Sequence, residues 1–280
     1  MSGIITYRAL KQRDPSRTTA LRNSFAKELK KRFTRLCLVI WRGVVDDAIL
    51  ERRFAYNNPS DKVNSFMKWL ETQVTNEVLD QTDPNARHSW FHQYIKDAYQ
   101  RGVLRARAQM RNGKFTPPPL VDTFSDPRHL ERLTLLYARA YNELKGITDE
   151  TVKIASRELL DALASGANSR EIAKRIDRAI LGKPTILTNA KGPSPESKAD
   201  LLARTEIIRA HAEAQLQEFK NWGVEGVTVM AEFITAGDAR VCSRCNSYNR
   251  DVRTLEEARG IIPIHPRCRC IWVPFVKNGK

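Results

Sequence analysis

The chain has 280 residues, with 47 Lys and Arg against 32 Asp and Glu, 41% apolar and 8% aromatic side chains. That length suggests about two domains and a core large enough to dispense with disulfides. The longest apolar run, Leu36–Trp41, is far short of the ~20 residues a membrane helix needs, so no membrane span is expected. A formal charge of +15 points to anionic company, either nucleic acid or an acidic protein surface.

The stretch from Met1 to Arg8 lacks the basic start and apolar run of a signal peptide, so the expected compartment is intracellular. The charge is uneven: residues 1–120 carry 22 basic and 11 acidic side chains, and residues 8–42 alone carry 11 and 2. Over 16–56, Leu21, Phe25, Leu29, Phe33, Leu36, Ile40 and Val44 recur at helical spacing and predict one apolar stripe. Arg22, Lys27, Lys30, Lys31, Arg32 and Arg35 fill the other faces. They are either a solvated basic face or a surface for DNA phosphates or an acidic partner.

Residues 61–80 and 87–111 predict two more helices, set off by Asn57–Asp61 and by Asp83-Pro84-Asn85. Arg101, Arg105, Arg107 and Arg111 follow one another toward the end of the second, where cations suit the helix dipole. His88 and His92 share a face, but no carboxylate sits at a metal-binding offset, so both are read as surface or packing residues. Lys114–Pro119 then stiffens the chain, and 115–128 is read as a Pro-rich linker closing a basic helical domain, 1–114.

A helical hairpin region is expected over 129–181. Its first helix, 128–164, is read as broken near Gly146–Asp149. Ser165–Ser169 forms the turn, Asn168 with Glu171 resembles a capping box, and Arg170–Leu181 turns Ile172, Ala173 and Ile176 inward. DNA-reading helix–turn–helix modules share this spacing, but plain helical hairpins are far commoner. A second linker, 182–198, precedes the helix Ala199–Trp222, which has Leu201, Ile208, Ala212, Leu216 and Phe219 as its stripe and Gly223 as its stop. Short β-prone runs follow at Val227–Val229, Phe233–Thr235 and Ile271–Val273. The expected fold class is α+β: mainly helical, with a small zinc-stapled β-rich C-terminal module in 199–280.

Chemistry concentrates in that module. Cys242 and Cys245 form a C-x-x-C pair, and after nineteen intervening residues comes His265, followed by Cys268 and Cys270. Three thiolates and an imidazole fill a tetrahedral zinc site with no open position, which makes such a site structural. The candidate ligands are Cys242, Cys245, His265 and Cys268, with Cys270 as a possible substitute. A redox pair lacks the surrounding βαβ pattern, and disulfides lack a secretory signal. Cys37, inside an apolar stripe, is read as a buried small hydrophobe.

The run Thr235–Cys245 with Asp238 and Arg240, followed by Ile264–Cys270, resembles the C-terminal signature of the phage Mu F-like minor head proteins. Ala203-Arg204-Thr205-Glu206, ending in Trp222-Gly223-Val224, resembles the helix that leads into it. The resemblance covers roughly 130–276 and implies a non-enzymatic virion component in few copies, sited in the head interior near the portal and in the host cytoplasm during assembly. It further implies the portal protein, the major capsid protein and non-specifically bound packaged DNA as partners, and a role in head morphogenesis and DNA packaging or ejection. It marks Arg204, Glu206, Asp238 and Arg240, which we read as a polar network orienting the zinc module against its helix, with Asp238 capping the turn into Cys242. Relatives usually have a glycine soon after the second cysteine. Here Asn246–Asp251 supplies the turn, and asparagine tolerates left-handed geometry.

Catalysis finds little footing. His265 is claimed by the zinc, His211 sits among alanines like a packing residue, and no phosphate-binding loop, nucleophile elbow or evident acid pair occurs. The expectation is therefore no enzyme. The alternatives are a zinc-containing DNA-binding regulator and, further off, an HNH-like nuclease.

Overall fold

The computed structural model describes residues 14–55, 58–80, 89–112, 125–182, 195–223 and 229–276. The helices are α1 (Thr19–Trp41, closing in a π-helical turn Arg42–Asp46), α2 (Pro59–Val74, with a similar turn Thr75–Leu79), α3 (His92–Asn112), α4 (Pro127–Ala164), α5 (Ser169–Leu181), α6 (Pro195–Gly223), α7 (Ser243–Ser247) and α8 (Leu255–Ala258). The strands are β1 (Val229–Ile234), β2 (Val252–Arg253) and β3 (Ile271–Val276). The chain is mainly helical with a small C-terminal strand region. Among the described residues, no helix is long and apolar enough to cross a membrane. The Pro-rich stretch 113–124, most of the linker after Leu181, His88 and Val224–Thr228 lie outside the described residues.

The chain divides into two compact units, each drawn from separated stretches: 1–25, 91–138 and 203–280 form unit 1, and 26–90 with 139–202 form unit 2.

Unit 2 is helical. The predicted α1 stripe is buried through Leu29, Phe33, Leu36, Ile40 and Val44, and Cys37 joins it as a small buried side chain. The helix ends earlier than its periodicity suggests. At Gly43 the ring of Trp69 lies where a side chain would be, 2.6 Å from an added Cβ, and turns follow that bury Ile49, Leu50 and Phe54. The expected break at Gly146 does not occur: α4 runs unbroken through it. One helical glycine costs only ~1 kcal/mol, and here Thr148 and Thr151 return their hydroxyls to Lys145 O and Ile147 O at 2.8 Å while Lys145 pairs with Asp149. The Asn168 side chain caps α5 by accepting from Glu171 N at 3.0 Å, Gly182 closes that helix in left-handed geometry, and Ile172, Ala173 and Ile176 are buried.

Unit 1 carries the sheet. Its order is β2-β1-β3, antiparallel throughout, with Phe233 opposite Trp272 and Ile234 opposite Ile271. Alternation sorts the side chains. Val229, Ala231, Phe233, Trp272 and Val276 join a core with Ile208, Ala212, Leu216, Phe219 and Trp222 of α6 and Ala106 and Met110 of α3, while Ile234, Ile271 and Val273 cluster separately. The α6 segment is buried beyond its predicted stripe: His211, Gln215, Gln217 and Glu218 are buried too. Gln215 shows why polar residues belong there. Its Nε2 donates to Trp272 O at 2.8 Å and its Oε1 accepts from Trp272 N at 3.3 Å, satisfying the free edge of β3. Pro274 lies two residues on, so its missing N–H also falls on that edge. Tyr99 and Arg107 of α3, His129 of α4 and Glu218 of α6 form a second buried network, anchored by an Arg107–Glu218 pair of 2.7 Å.

Candidate metal centre

After β1 the chain turns at Gly237, in left-handed geometry. Asp238 fixes the next turn, its Oδ1 accepting from Arg240 N at 3.1 Å and its carbonyl accepting from Val241 N at 3.0 Å. This delivers Cys242 as the N-cap of α7, where its sulfur accepts from Cys245 N at 3.4 Å. The C-x-x-C spacing thus turns both sulfurs toward one point through a single helical turn. The next turn returns the chain to the sheet, with Arg250 N donating to Phe233 O at 2.8 Å. Its left-handed residue is Arg250, not one of the asparagines, and Asn249 instead accepts from Thr235 N and Oγ1. β2 and α8 follow, the latter opened by a capping box between Thr254 and Glu257.

The second half of the site precedes β3. Cys268 N bonds His265 O at 3.1 Å, with Arg267 in left-handed geometry between them. His265 Nδ1 donates to Pro266 O at 2.7 Å, which places its proton there and leaves the Nε2 lone pair for a metal. Nε2 lies 3.2 Å from Cys242 Sγ and 3.0 Å from Cys245 Sγ, and Cys245 Sγ lies 4.0 Å from Cys268 Sγ. A tetrahedral zinc with ordinary bond lengths spaces sulfur from sulfur by about 3.8 Å and nitrogen from sulfur by about 3.6 Å. Cys242, Cys245 and His265 come close to that spacing, with the histidine a few tenths of an ångström tight, and Cys268 approaches it at Cys245.

Cys242, Cys245 and His265 form one group of converging donors and Cys245, Cys268 and Cys270 another, sharing Cys245. Together they can hold a metal ion. The sulfurs differ in character. The hydrogen bond from the Cys270 thiol, with backbone N–H groups of Cys270 and Ile264, lowers the Cys268 pKa against burial. The same contact and burial raise that of Cys270, and burial raises Cys245. Cys242 is lowered chiefly by the Cys245 amide.

The four marked polar residues pair as follows. Asp238 holds Arg240 at 2.9 Å and Arg269 through two bonds of 2.7 and 2.6 Å. Arg204 donates to Asn23 Oδ1 at 2.9 Å, and Glu206 accepts from Arg209 at 3.3 Å. Arg269, between Cys268 and Cys270, is the functional residue that sequence reasoning missed; its place inside the ligand run was the available signal.

The six basic residues read as one face fall into two groups. Lys27, Lys30, Lys31 and Arg35 are exposed. Arg22 and Arg32 are not on that face. Arg22 is buried against Asp14 at 3.0 Å, and Arg32 lies over the Trp90 ring at 4.0 Å while pairing with Glu28. His92 is buried and stacked on Tyr137, and His211 is buried in α6.

Residues 153–273 match the family model described as Phage Mu protein F like protein. The match begins within α4 and ends within β3, enclosing every candidate ligand. No curated protein and no solved structure matches the chain. Over these residues, a little under half of the chain, the sequence is similar to the phage Mu F-like proteins.

Proposed function

We propose that this phage Mu F-like chain, whose family points to phage head morphogenesis, is a minor structural component of the head interior beside the portal. Its metal is zinc and its role is architectural, not enzymatic. The observation that carries the reading is that the matched segment encloses the whole cysteine–histidine cluster and the α6 helix against which the sheet packs. In this reading three thiolates and one imidazole saturate zinc and leave no position for substrate.

Portal protein and major capsid protein are the proposed protein partners, and packaged DNA is the proposed polyanion. Lys27, Lys30, Lys31 and Arg35 on α1 would meet DNA without sequence preference, each neutralised phosphate adding about 0.9 to the log–log salt slope. Among the described residues His92, His129 and His211 are buried in packing, which supports the non-enzymatic reading. The test is quantitative mass spectrometry of purified particles, counting this chain against portal and major capsid protein. A few copies per particle are expected. Complete absence from mature particles overturns the head-component reading.

A further inference from the structure

Helix α5 is sharply two-sided. Ile172, Ala173, Ile176, Ala179 and Ile180 are buried, and the helix packs against the π-helical turn Arg42–Asp46. At 3.6 residues per turn these five centre on one side. The direction opposite them is occupied by Arg170, Lys174 and Arg178, all exposed. Their spacing of four sets them along one line of a single helix, about 6 Å apart in rise, so the three share one surface. The nearby acids are engaged off that line. Glu171 holds Arg175 at 3.2 Å beside it, and Asp177 is half-buried and has an interaction of its own. Glu51 takes the Ser169 hydroxyl at the first residue of the helix. Among the described residues, none of the three cations pairs with a carboxylate.

The partner such a line fits follows from what stands on it. Protein partners are held by apolar and aromatic anchors inside a polar rim. The exposed large apolar side chains of the described residues, Leu38, Leu104, Leu130, Leu135 and Leu160, all lie on other helices. A helix crest is convex, so it encloses no single carboxylate or small anion either. It matches a partner that is itself a line of evenly spaced charge. Duplex nucleic acid carries one negative charge per ~1.7 Å of its axis, so the ~12 Å rise from Arg170 to Arg178 can run beside several phosphates. Two arginine forks and a lysine ammonium suit phosphate oxygens.

We infer that the exposed crest of α5, formed by Arg170, Lys174 and Arg178, is a docking line for the phosphate backbone of double-stranded DNA. The inference rests on the reading of the chain as a head component that contacts DNA. It adds a surface separate in residues from the α1 lysines, and it gives the second helix of the hairpin a role that sequence-specific base reading is not needed to fill.

Fluorescence anisotropy of the full-length protein with a labelled random-sequence duplex, titrated over a range of salt, tests it. Arg170→Gln/Lys174→Gln/Arg178→Gln should flatten the log–log slope by about 2.7 and weaken binding roughly eightfold per cation at 0.1 M salt. Any loss of positive charge weakens binding to a polyanion, so a matched variant is needed. Arg128→Gln/Lys220→Gln/Arg244→Gln removes the same charge from exposed positions on other segments and should leave the slope nearly unchanged. Far-UV circular dichroism checks that both variants keep their helices. A second readout needs no variant: lysine acetylation of the unaltered protein, mapped by mass spectrometry with and without duplex, should find Lys174 protected by DNA. If the α5 variant fails to fold, that footprint decides alone. Equal slope changes in the two variants, or Lys174 acetylated alike in free and bound protein, overturns the inference while leaving DNA contact standing. Absence of duplex binding at low salt overturns DNA contact as well, and polyglutamate binding through the same three cations would then give the crest to an acidic protein.

Discussion

Mild acid should destabilise this protein through one imidazole. His211 of α6 is 1% exposed, and its Nε2 is buried without a hydrogen-bond partner. Burial lowers its pKa from 6.5 to about 3; the charges of Arg105, Arg22 and Arg101 act in the same direction, and Asp14 opposes them. The unfolded chain takes up a proton near pH 6.5 and the folded chain does not, so stability present above 6.5 is lost as pH falls toward 3. The slope is ~1.4 kcal/mol per pH unit, or ~2 kcal/mol by pH 5. That figure holds for any folded value well below 5, so it rests on the burial and the surrounding arginines. Urea unfolding of the unaltered protein and of His211→Gln, each at pH 7.5 and pH 5, measures it. Every other ionisable group is common to the two proteins and cancels in the difference. The variant should be spared ~2 kcal/mol of the loss. Equal losses in the two proteins would mean that folded His211 accepts its proton, and the argument fails.

Other consequences are as direct. In Gly102→Ala the new Cβ would meet His211 O at 2.3 Å and Ala214 Cβ at 2.7 Å; thermal denaturation should show a loss of ~1–3 kcal/mol. Gly146→Ala meets nothing within 4 Å in mid-α4 and should gain ~0.8–1.0 kcal/mol by the same measurement. The purified protein should contain about one zinc equivalent, retained in Cys270→Ser and lost in Cys268→Ser; metal analysis finding the reverse would move the fourth ligand to Cys270. Arg107→Ala removes the cation paired with buried Glu218, which keeps only Trp222 and His129, and should cost ~3 kcal/mol, whereas Arg107→Met combined with Glu218→Leu should cost clearly less than the two single changes together, as a double-mutant cycle would read.

What could be read ahead of the structure divides by distance along the chain. The α1 stripe, the Asn168 cap and the cysteine–histidine spacing are local patterns, and each depends on residues a few positions apart. The cluster needed only two tight turns to form, so its spacing was sufficient to find it. The unbroken α4 was misread because a single glycine was given more weight than the threonine and lysine contacts that carry the helix past it. β2 escaped because its two residues are a strand only through pairing with Ala231 and Glu232. The burial of Arg22 and Arg32 depended on Asp14 and Trp90, and a helical wheel shows neither partner. Gln215 read as an interruption of the α6 stripe, and its reason lies 57 residues away at Trp272.

The metal centre and the Asp238–Arg269 pair are better understood together than apart. β1 and β3 are neighbours in the sheet, yet the chain between Ile234 and Ile271 makes a long excursion before they pair. Closing such a loop carries an entropic cost that grows with its length. An ion held between Cys242 and Cys245 on one side and His265 and Cys268 on the other would tie the excursion near both of its ends. Asp238 and Arg269 tie it again, closer to the strands. The two fastenings differ in what undoes them: chelation removes the first, and protonation of Asp238, whose pKa is held low chiefly by its bonds to Arg269, removes the second only in strong acid. Loss of metal at neutral pH therefore leaves the ionic clasp at the mouth of the loop. The outer turns carrying α7 and α8 should loosen before the β1–β3 pair, and hydrogen exchange before and after chelation would record that order.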